Sequence, residues 1–586
     1  MSIRTNKMKA VAVLMKQLTT SRRKFHERGR DESFDGELEK LRLVLNNIKD
    51  VFVEVKKNEE NLLDTLAEVY DYLHRLDHKK LHQGMKDICN RIKCSARNLL
   101  PKLDFDESKK EEIFHSSKEL LQPRETSWSL RDFASSEGYL YSLLVFPKNA
   151  VIRKRNAINL WIGEGLLKNT GNKTTEELGN DVIRTLLKFN LIVSYGNGKC
   201  PLVNKFQIVP SIRNQMEGGF SIINVDHPGN KLAAGFSERN VDHRGQYFIP
   251  NLDFEGTTER LTLERKKVTL GGGDWYFSDR PLCTVFNISA SYLNFRPQWV
   301  TELKNLEVLQ LGRWQDSPLH HIEVGSEELL KELRYLQKLK YLSLRGISRI
   351  FELPSSIVEL ESLLILDLKA CHNLERLPND ISLMTNLTHL IMSDCCLLES
   401  MPKGIEKLTN LQVLKGFLIT TSEKTPCKIS DLVNNLRKLK RLSIRIGSEA
   451  VIKDGEFQSL ASFSALEHLK ISWSVFDPRY ANISIHLPTD LRKLHLECFP
   501  GKSLPPSLER SMTRPREINI TGGKLESIDP NIILLYKVEI LRLKYLEHLK
   551  VDIDNLKAFI PKLKYVEIRK IQNHSYIERA YEYDSD

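Results

Sequence analysis

Leu336-Gln-Lys-Leu339-Lys-Tyr-Leu342-Ser-Leu344 is followed 24 residues later by Leu360-Glu-Ser-Leu363-Leu-Ile-Leu366-Asp-Leu368. The frame L-x-x-L-x-x-L-x-L continues around Leu390 and Leu414, so Leu342, Leu366, Leu390 and Leu414 share one period. Each period supplies a short strand and a return segment, and stacking the periods buries the leucines in a continuous core. The residues between the leucines then line an open, curved sheet suited to gripping another macromolecule.

This period and internal spacing are the leucine-rich-repeat signature. Followed outward with wider spacing, the frame predicts strands near Val285, Leu309, Leu442, Leu469, Leu494, Ile518, Leu541 and Val566, about a dozen in all. Leu353-Pro354, Leu377-Pro378 and Met401-Pro402 are each followed three positions later by Ile357, Ile381 and Ile405. Proline lacks a donor and has a fixed φ, which suits the convex return segment and not a strand. Cys371 and Cys395 stand where such a repeat wants a small polar group facing inward.

The chain's 586 residues allow three or more domains. Hydrophobic and charged fractions of 41% and 28% are ordinary for a soluble globular protein. No stretch approaches the roughly 18 apolar residues of a membrane span. Met1-Ser2-Ile3-Arg4 opens no signal-peptide core, and nine cysteines without CxxC spacing predict reduced thiols and a cytoplasmic setting. The net charge is +11, and the first thirty residues hold nine Lys or Arg against Glu27. That segment reads first as a solvated helix face and second as a peripheral contact with an anionic plasma-membrane surface.

Helical spacing runs through residues 8–100. Leu38, Leu41, Leu45, Ile48, Phe52 and Val55 form one heptad stripe, and Leu62, Leu66, Val69, Leu73 and Leu76 form another. These predict a helical bundle of coiled-coil type, or helices that pair with a second chain. His74, His78 and His82 are four apart, but no further ligands follow, so no metal is assigned. The Asp226-His227 and Asp242-His243 pairs read as loop residues.

Residues 101–127 are polar and read as a linker. After them come Phe146-Pro147, then Ile158-Asn-Leu160-Trp161-Ile162-Gly163-Glu164-Gly165, then Glu176-Glu177-Leu178-Gly179. Three or four helices and a hairpin turning at Gly196-Asn-Gly198 make a winged-helix shape. This segment resembles the winged helix of plant nucleotide-binding leucine-rich-repeat disease-resistance receptors, in which a "FP" precedes "LWIAEGF" and an "EELG"-like element. The helical N-terminus is similar to the coiled-coil domain of that class, with Ala67-Glu68-Val69-Tyr70-Asp71 loosely matching its acidic element. The order of parts agrees over nearly the whole chain, and the resemblance implies a part in plant defence.

One part is missing. The family carries a nucleotide-binding domain between the helical region and the winged helix, and here only the linker stands there. No GxxxxGK[ST] loop occurs, and the position of the family's "MHD" element, near Ile208-Val209-Pro210, has neither His nor Asp. Without amides and a lysine to hold phosphates there is no ATP cofactor, and nucleotide switching is expected to be lost.

The chain divides into a helical bundle (1–100), linker (101–127), winged-helix-like domain (128–220), connector (221–255), α/β repeat solenoid (256–572) and acidic tail (573–586). The expected function is non-enzymatic: partner recognition through the repeats and pairing through the N-terminal helices. Partner-facing candidates alternate with the leucines: Tyr341, Arg345, Asp367, Lys369 and His389. Further along come Arg441, Arg445, Lys470, Lys493, Arg542, Lys544 and Arg569, against Glu497, Glu517 and Glu567. Seven basic positions against three acidic ones predict a protein partner with an acidic surface. The alternative is nucleic-acid binding through the winged helix, with Arg153, Lys154 and Arg155 ahead of a helix at Ile158–Leu167. No GxSxG, HExxH or kinase-loop pattern occurs in a supporting context, so no catalytic residue is assigned.

Overall fold

The computed structural model describes most of residues 137–580. Positions 169–172, 197–199, 218–245, 251–258, 264–266, 271–280, 301–302, 316–321, 327, 421–426, 448–449, 454, 475–477, 512–513, 529–534, 551–555, 572–573 and 581–586 lie outside that description. So do the residues before 137, apart from 14, 18, 38, 41, 68–69, 72, 83–85 and 87–92. Leu14, Leu18, Leu38, Leu41, Val69, Met85, Ile88 and Ile92 are helical and buried. The bundle as a whole, the basic start, His74, His78, His82, His227 and His243 fall outside the described residues.

The first described unit runs α1 (Glu137–Leu143), β1 (Ile152–Arg153), α2 (Lys154–Gly163), α3 (Thr175–Lys188), β2 (Ile192–Ser194), β3 (Lys205–Ile208) and α4 (Pro210–Glu217). The three strands form an antiparallel sheet in the order β1-β3-β2. A capping box starts α3: Glu177 N–H donates to the Thr174 hydroxyl at 3.4 Å, and the Glu177 carboxylate accepts from Thr174 N–H at 2.8 Å. Gly179 lets α3 cross close over α2, because a Cβ there would stand 2.8 Å from Ile158. Lys154 and Arg155 open α2 instead of preceding it, a shift from the helix start that spacing suggested.

The repeats build one long sheet. Its strands are β4 (Gln246–Pro250), β5 (Glu259–Leu263), β7 (Leu282–Asn287), β9 (Val308–Gln310), β11 (Tyr341–Ser343), β12 (Ile365–Asp367), β13 (His389–Ile391) and β14 (Val413–Ile419). It continues through β15 (Arg441–Ile446), β16 (His468–Trp473), β17 (Lys493–Phe499), β18 (Glu517–Gly523), β19 (Ile540–Lys544), β20 (Tyr565–Ile571) and β21 (His574–Ala580). A small parallel sheet of β6 (Lys267–Leu270), β8 (Tyr292–Phe295) and β10 (Glu323–Val324) accompanies the first repeats.

Leu309, Leu342, Leu366, Leu390, Leu414, Leu442, Leu469 and Leu494 stand in register across parallel neighbours and are at most 2% exposed. This confirms the repeat frame. The prolines act as the sequence suggests: one 3-10 turn follows Pro354 at Ser355–Glu359, and others occupy Ile381–Leu383 and Ile405–Lys407. The Cys371 and Cys395 thiols point inward and donate to the carbonyls of Leu344 and Leu368 at 3.0 and 3.1 Å.

Two boundaries differ from the sequence reading. Residues 246–250, assigned to the connector, pair antiparallel with β5, and 574–580, assigned to the acidic tail, pair antiparallel with β20. Both extend the sheet past its parallel strands and form its two ends.

Candidate functional site

The winged helix sits within the curve of the solenoid. At Gly163, near the end of α2, a Cβ would stand 2.7 Å from both Tyr341 and Val308, so the helix backbone rests directly on the sheet. Phe286, Val308, Trp314, Tyr341 and Ile365 from the repeats join Phe146, Leu160 and Trp161 in one buried cluster. The Phe146 ring meets Phe286 and Trp314 edge-on, with centroids 5.0 and 5.3 Å apart. Each large apolar side chain buried in this way contributes roughly 1.5–3 kcal/mol, so this contact is a core rather than a loose domain boundary. Asn156 donates to the Trp314 carbonyl at 2.6 Å and fixes the start of α2.

Ion pairs lock the seat at both ends. Glu164 and Arg260 are only 3% and 1% exposed and share a two-pronged contact of 2.6 and 2.8 Å, with the Thr284 hydroxyl donating at 2.8 Å. Burial pushes the Glu164 carboxyl upward, but the Arg260 charge and these hydrogen bonds outweigh it and hold the group below the usual range. At the start of α3, Glu176 pairs with Arg441 at 2.8 Å and Glu177 with Lys440 at 2.6 Å. The Lys440 hydrogen bond, helped by Thr174, holds Glu177 down at about 2. Beyond the hairpin, Arg542 approaches the Cys200 thiol at 3.2 Å.

These contacts change the picture of the sheet face. Tyr341 lies under α2, and burial raises its phenol pKa. His389 is 3% exposed, with Thr388 Oγ1 at 2.9 Å from its ring. Burial pulls the imidazole down to about 4, and Arg155, Arg441 and Lys415 add to this against the opposing Glu176. Arg345 and Asp367 are buried, Lys369 lies 3.9 Å from Asp394, and Arg445 donates to the Cys395 carbonyl at 2.9 Å.

The C-terminal candidates neutralise one another across neighbouring strands. Lys470 pairs with Glu497 at 3.1 Å, Lys493 with Glu517 at 2.6 Å, and Arg542 with Glu517 and Glu567. Lys544 and Arg569 reach Glu567 at 2.9 and 2.7 Å. The expected open basic face is therefore corrected: its first half is covered and its second half carries an internal charge ladder. A strand pattern shows which residues share a face, but not which charges meet across it.

The sequence reading missed Arg260, Phe286 and Val308, and it quoted Glu164, Glu176 and Glu177 as motif residues without giving them a partner. A signal was present, since the face positions Val308, Tyr341 and Ile365 lie in register and are apolar or aromatic. A solvated face would not place three such side chains in a row.

An open feature remains at the rim. A groove of about 620 Å³ runs along the residues that enter β15 to β20, lined by Lys440, Glu467, Arg492, Arg516, Lys537, Glu539 and their neighbours. Arg492 and Arg516 are 67% and 72% exposed, and their contacts to Glu467 and Glu539 are long, at 3.7 and 3.8 Å. Exposed pairs of this kind are worth about 0–1 kcal/mol and yield easily to a competing carboxylate.

Comparison with known proteins agrees with this architecture. The leucine-rich repeat region profile matches residues 285–578, half of the chain, and the disease resistance protein winged helix domain profile matches 145–209. Disease resistance RPP13-like protein 4 of Arabidopsis thaliana is 27% identical over 436 residues, covering 73% of this chain and 47% of the relative. A probable disease resistance protein of the same plant is 37% identical over 62 residues, 11% of this chain and 6% of that protein. The chain thus spans about half the length of the first relative or less of the second. Among solved structures, a Leptospira interrogans leucine-rich-repeat protein aligns with 49% of this chain and 78% of its own at 18% identity and TM-score 0.32. The Arabidopsis receptor kinase HAESA ectodomain, solved with a peptide hormone, aligns with 50% of this chain and 42% of its own at 18% identity and TM-score 0.30.

Proposed function

Because the chain belongs to the leucine-rich-repeat proteins and is a homologue of disease resistance proteins carrying their winged helix, we propose that it is a non-enzymatic recognition protein of plant defence. It captures an acidic protein partner on the basic rim of its repeats and pairs with other chains through its N-terminal helices. Nucleotide switching plays no part, since the linker at 101–127 stands in the place of a nucleotide-binding domain. Its setting is the cytoplasm, with peripheral contact at the plasma membrane through the basic first thirty residues.

The observation that carries this reading is the rim groove. It holds Lys440, Arg492, Arg514, Arg516, Lys537 and Lys562 against Glu467, Asp490 and Glu539. The covered face leaves this strip as an accessible basic surface among the described residues, and unlike the charge ladder Arg492 and Arg516 make only long, exposed ion contacts. Positive charge spread over such a rim steers an acidic surface and sets its register more than it adds raw affinity.

The test is proximity labelling in leaf tissue with wild type, Arg492→Glu/Arg516→Glu, and a control Lys403→Glu/Lys407→Glu on the convex side. A set of acidic proteins lost with the rim variant and kept with the control supports the reading. An unchanged set in both would sink it. Calorimetry with ATP and ADP on the full chain checks the switchless part, and micromolar nucleotide binding would overturn it.

A further inference from the structure

The groove at the rim carries its charges in a particular order. Backbone hydrogen bonds of 2.8–2.9 Å join one row of residues across the strand entries, from Lys440 through Glu467, Arg492, Arg516 and Glu539 to Lys564. Charge alternates along this row except at its centre. There β17 and β18 pair with Lys493 opposite Glu517, which sets Arg492 beside Arg516. Like charges side by side on neighbouring strands repel. Each arginine reaches away from the other, Arg492 to Glu467 at 3.7 Å and Arg516 to Glu539 at 3.8 Å.

The ends of the row are held more closely. Lys564 stands 2.9 Å from Glu539, and Lys440 stands 2.6 Å from Glu177 of the winged helix. Two residues earlier in their repeats come Asp490, Arg514, Lys537 and Lys562, which line the same groove. Arg514 donates to the Leu487 carbonyl. Lys537 and Lys562 are exposed, and among the described residues neither ammonium has an ion-pair or hydrogen-bond partner. With Glu177 and Lys564 included, seven cations face four carboxylates here, which leaves three positive charges uncompensated.

We propose that Arg492 and Arg516, with Lys537 from the next repeat, hold a phosphoserine or phosphothreonine of the partner protein. This rests on the recognition role proposed above and narrows the partner from an acidic surface to a phosphorylated one. A carboxylate brings one charge and two oxygens, which match one guanidinium fork. A phosphate monoester brings a charge of about −1.5 to −2 and three acceptor oxygens, which serve both forks and an ammonium. No aromatic side chain is among the described residues that line the groove, so nothing there stacks on a phosphotyrosine ring. Glu467 and Glu539 bracket the two arginines, and a nucleic-acid backbone would set further phosphates against them. At strand spacings of about 4.8 Å, Glu467 lies about 7 Å from the midpoint of the arginine pair, the rise of two residues in an extended segment. When the phosphate draws Arg492 inward, Glu467 and the exposed Asp490 face a basic residue two positions from the phosphoserine.

The probes are degenerate peptide libraries with a fixed central phosphoserine, glutamate or serine, added to the full chain and read by fluorescence polarisation. The phosphoserine library is expected to bind about tenfold or more tightly than the glutamate library, the gain of one charge-assisted contact. Its bound fraction should be enriched in Lys or Arg two positions from the phosphoserine. Arg492→Lys/Arg516→Lys keeps both charges and loses both forks. It should weaken phosphoserine binding by about tenfold, leave glutamate binding nearly unchanged and melt like wild type. The convex control Lys403→Glu/Lys407→Glu should bind as wild type does. Equal binding of the phosphoserine and glutamate libraries would overturn the phosphate inference and leave the acidic-partner reading standing. That reading fails separately, if Arg492→Glu/Arg516→Glu keeps the wild-type partners in leaf tissue. No phosphoserine binding by folded wild type, or displacement of the peptide by an equal concentration of inorganic phosphate or single-stranded RNA, would also overturn the inference.

Discussion

Replacing Arg260 by methionine removes one half of the most deeply buried charge pair that joins the winged helix to the repeats. Glu164 then keeps the Thr284 hydroxyl at 2.8 Å but loses two charge-assisted contacts of 2.6 and 2.8 Å. With side-chain exposures of 3% and 1%, water cannot replace what is lost. Breaking a buried pair on one side costs about 3–5 kcal/mol, because a bare charge stays inside the protein. Arg260→Met and Glu164→Met should each fall in that range, and the double variant should recover a large part, giving a coupling of about 2–4 kcal/mol in a double-mutant cycle.

Urea unfolding of the full chain at pH 7 measures the cycle, and hydrogen exchange across α2 shows where the loss is felt. The Glu164 carboxyl is held below its ordinary value, so the stability it confers is complete above that value and fades as the pH falls through the depressed one. Wild type should lose stability toward low pH more steeply than the double variant. Single variants costing under about 1 kcal/mol, or strictly additive ones, would refute the claim that this pair is buried and coupled.

Three further outcomes are expected. Gly163→Ala forces a methyl against Tyr341 and Val308, where a Cβ would stand at 2.7 Å; an overpacking cost of about 1–3 kcal/mol and faster limited proteolysis between the two units should follow. His389 is drawn down to about 4 from an ordinary 6.5, so its contribution is complete above 6.5 and lost as pH falls toward 4; His389→Leu should flatten the acid limb of a stability–pH curve over that window. Leu366→Ala opens a cavity at a fully buried position in the middle of the stack; it should cost about 2–5 kcal/mol in denaturant unfolding.

The repeat strands were legible because their signal is local. A strand two residues in period, returning every 24, forces Leu342, Leu366, Leu390 and Leu414 inward wherever the solenoid goes. The winged helix was legible for a similar reason, since Phe146-Pro147, the Trp161 stretch and the Glu177 capping box act within a few turns of one another. The end strands β4 and β21 were not legible: their pairing depends on a neighbouring strand, which lies outside their own sequence. The charge ladder was half visible. Glu497, Glu517 and Glu567 were counted against the cations, but spacing along a strand does not say that Lys493 and Arg542 both reach Glu517.

By itself, the sequence determined the repeat fold, the inward leucines and cysteines, the position of the prolines on the convex side and the kinship with disease resistance proteins. Only the tertiary structure decided that the curve of the solenoid is filled by the chain's own winged helix. Glu164 meets Arg260 across 96 residues, and Lys440 meets Glu177 across 263. Such contacts depend on solenoid curvature, which sums a small rotation at every repeat. No local pattern contains that sum, so a face that reads as open along each strand is closed by the shape of the whole.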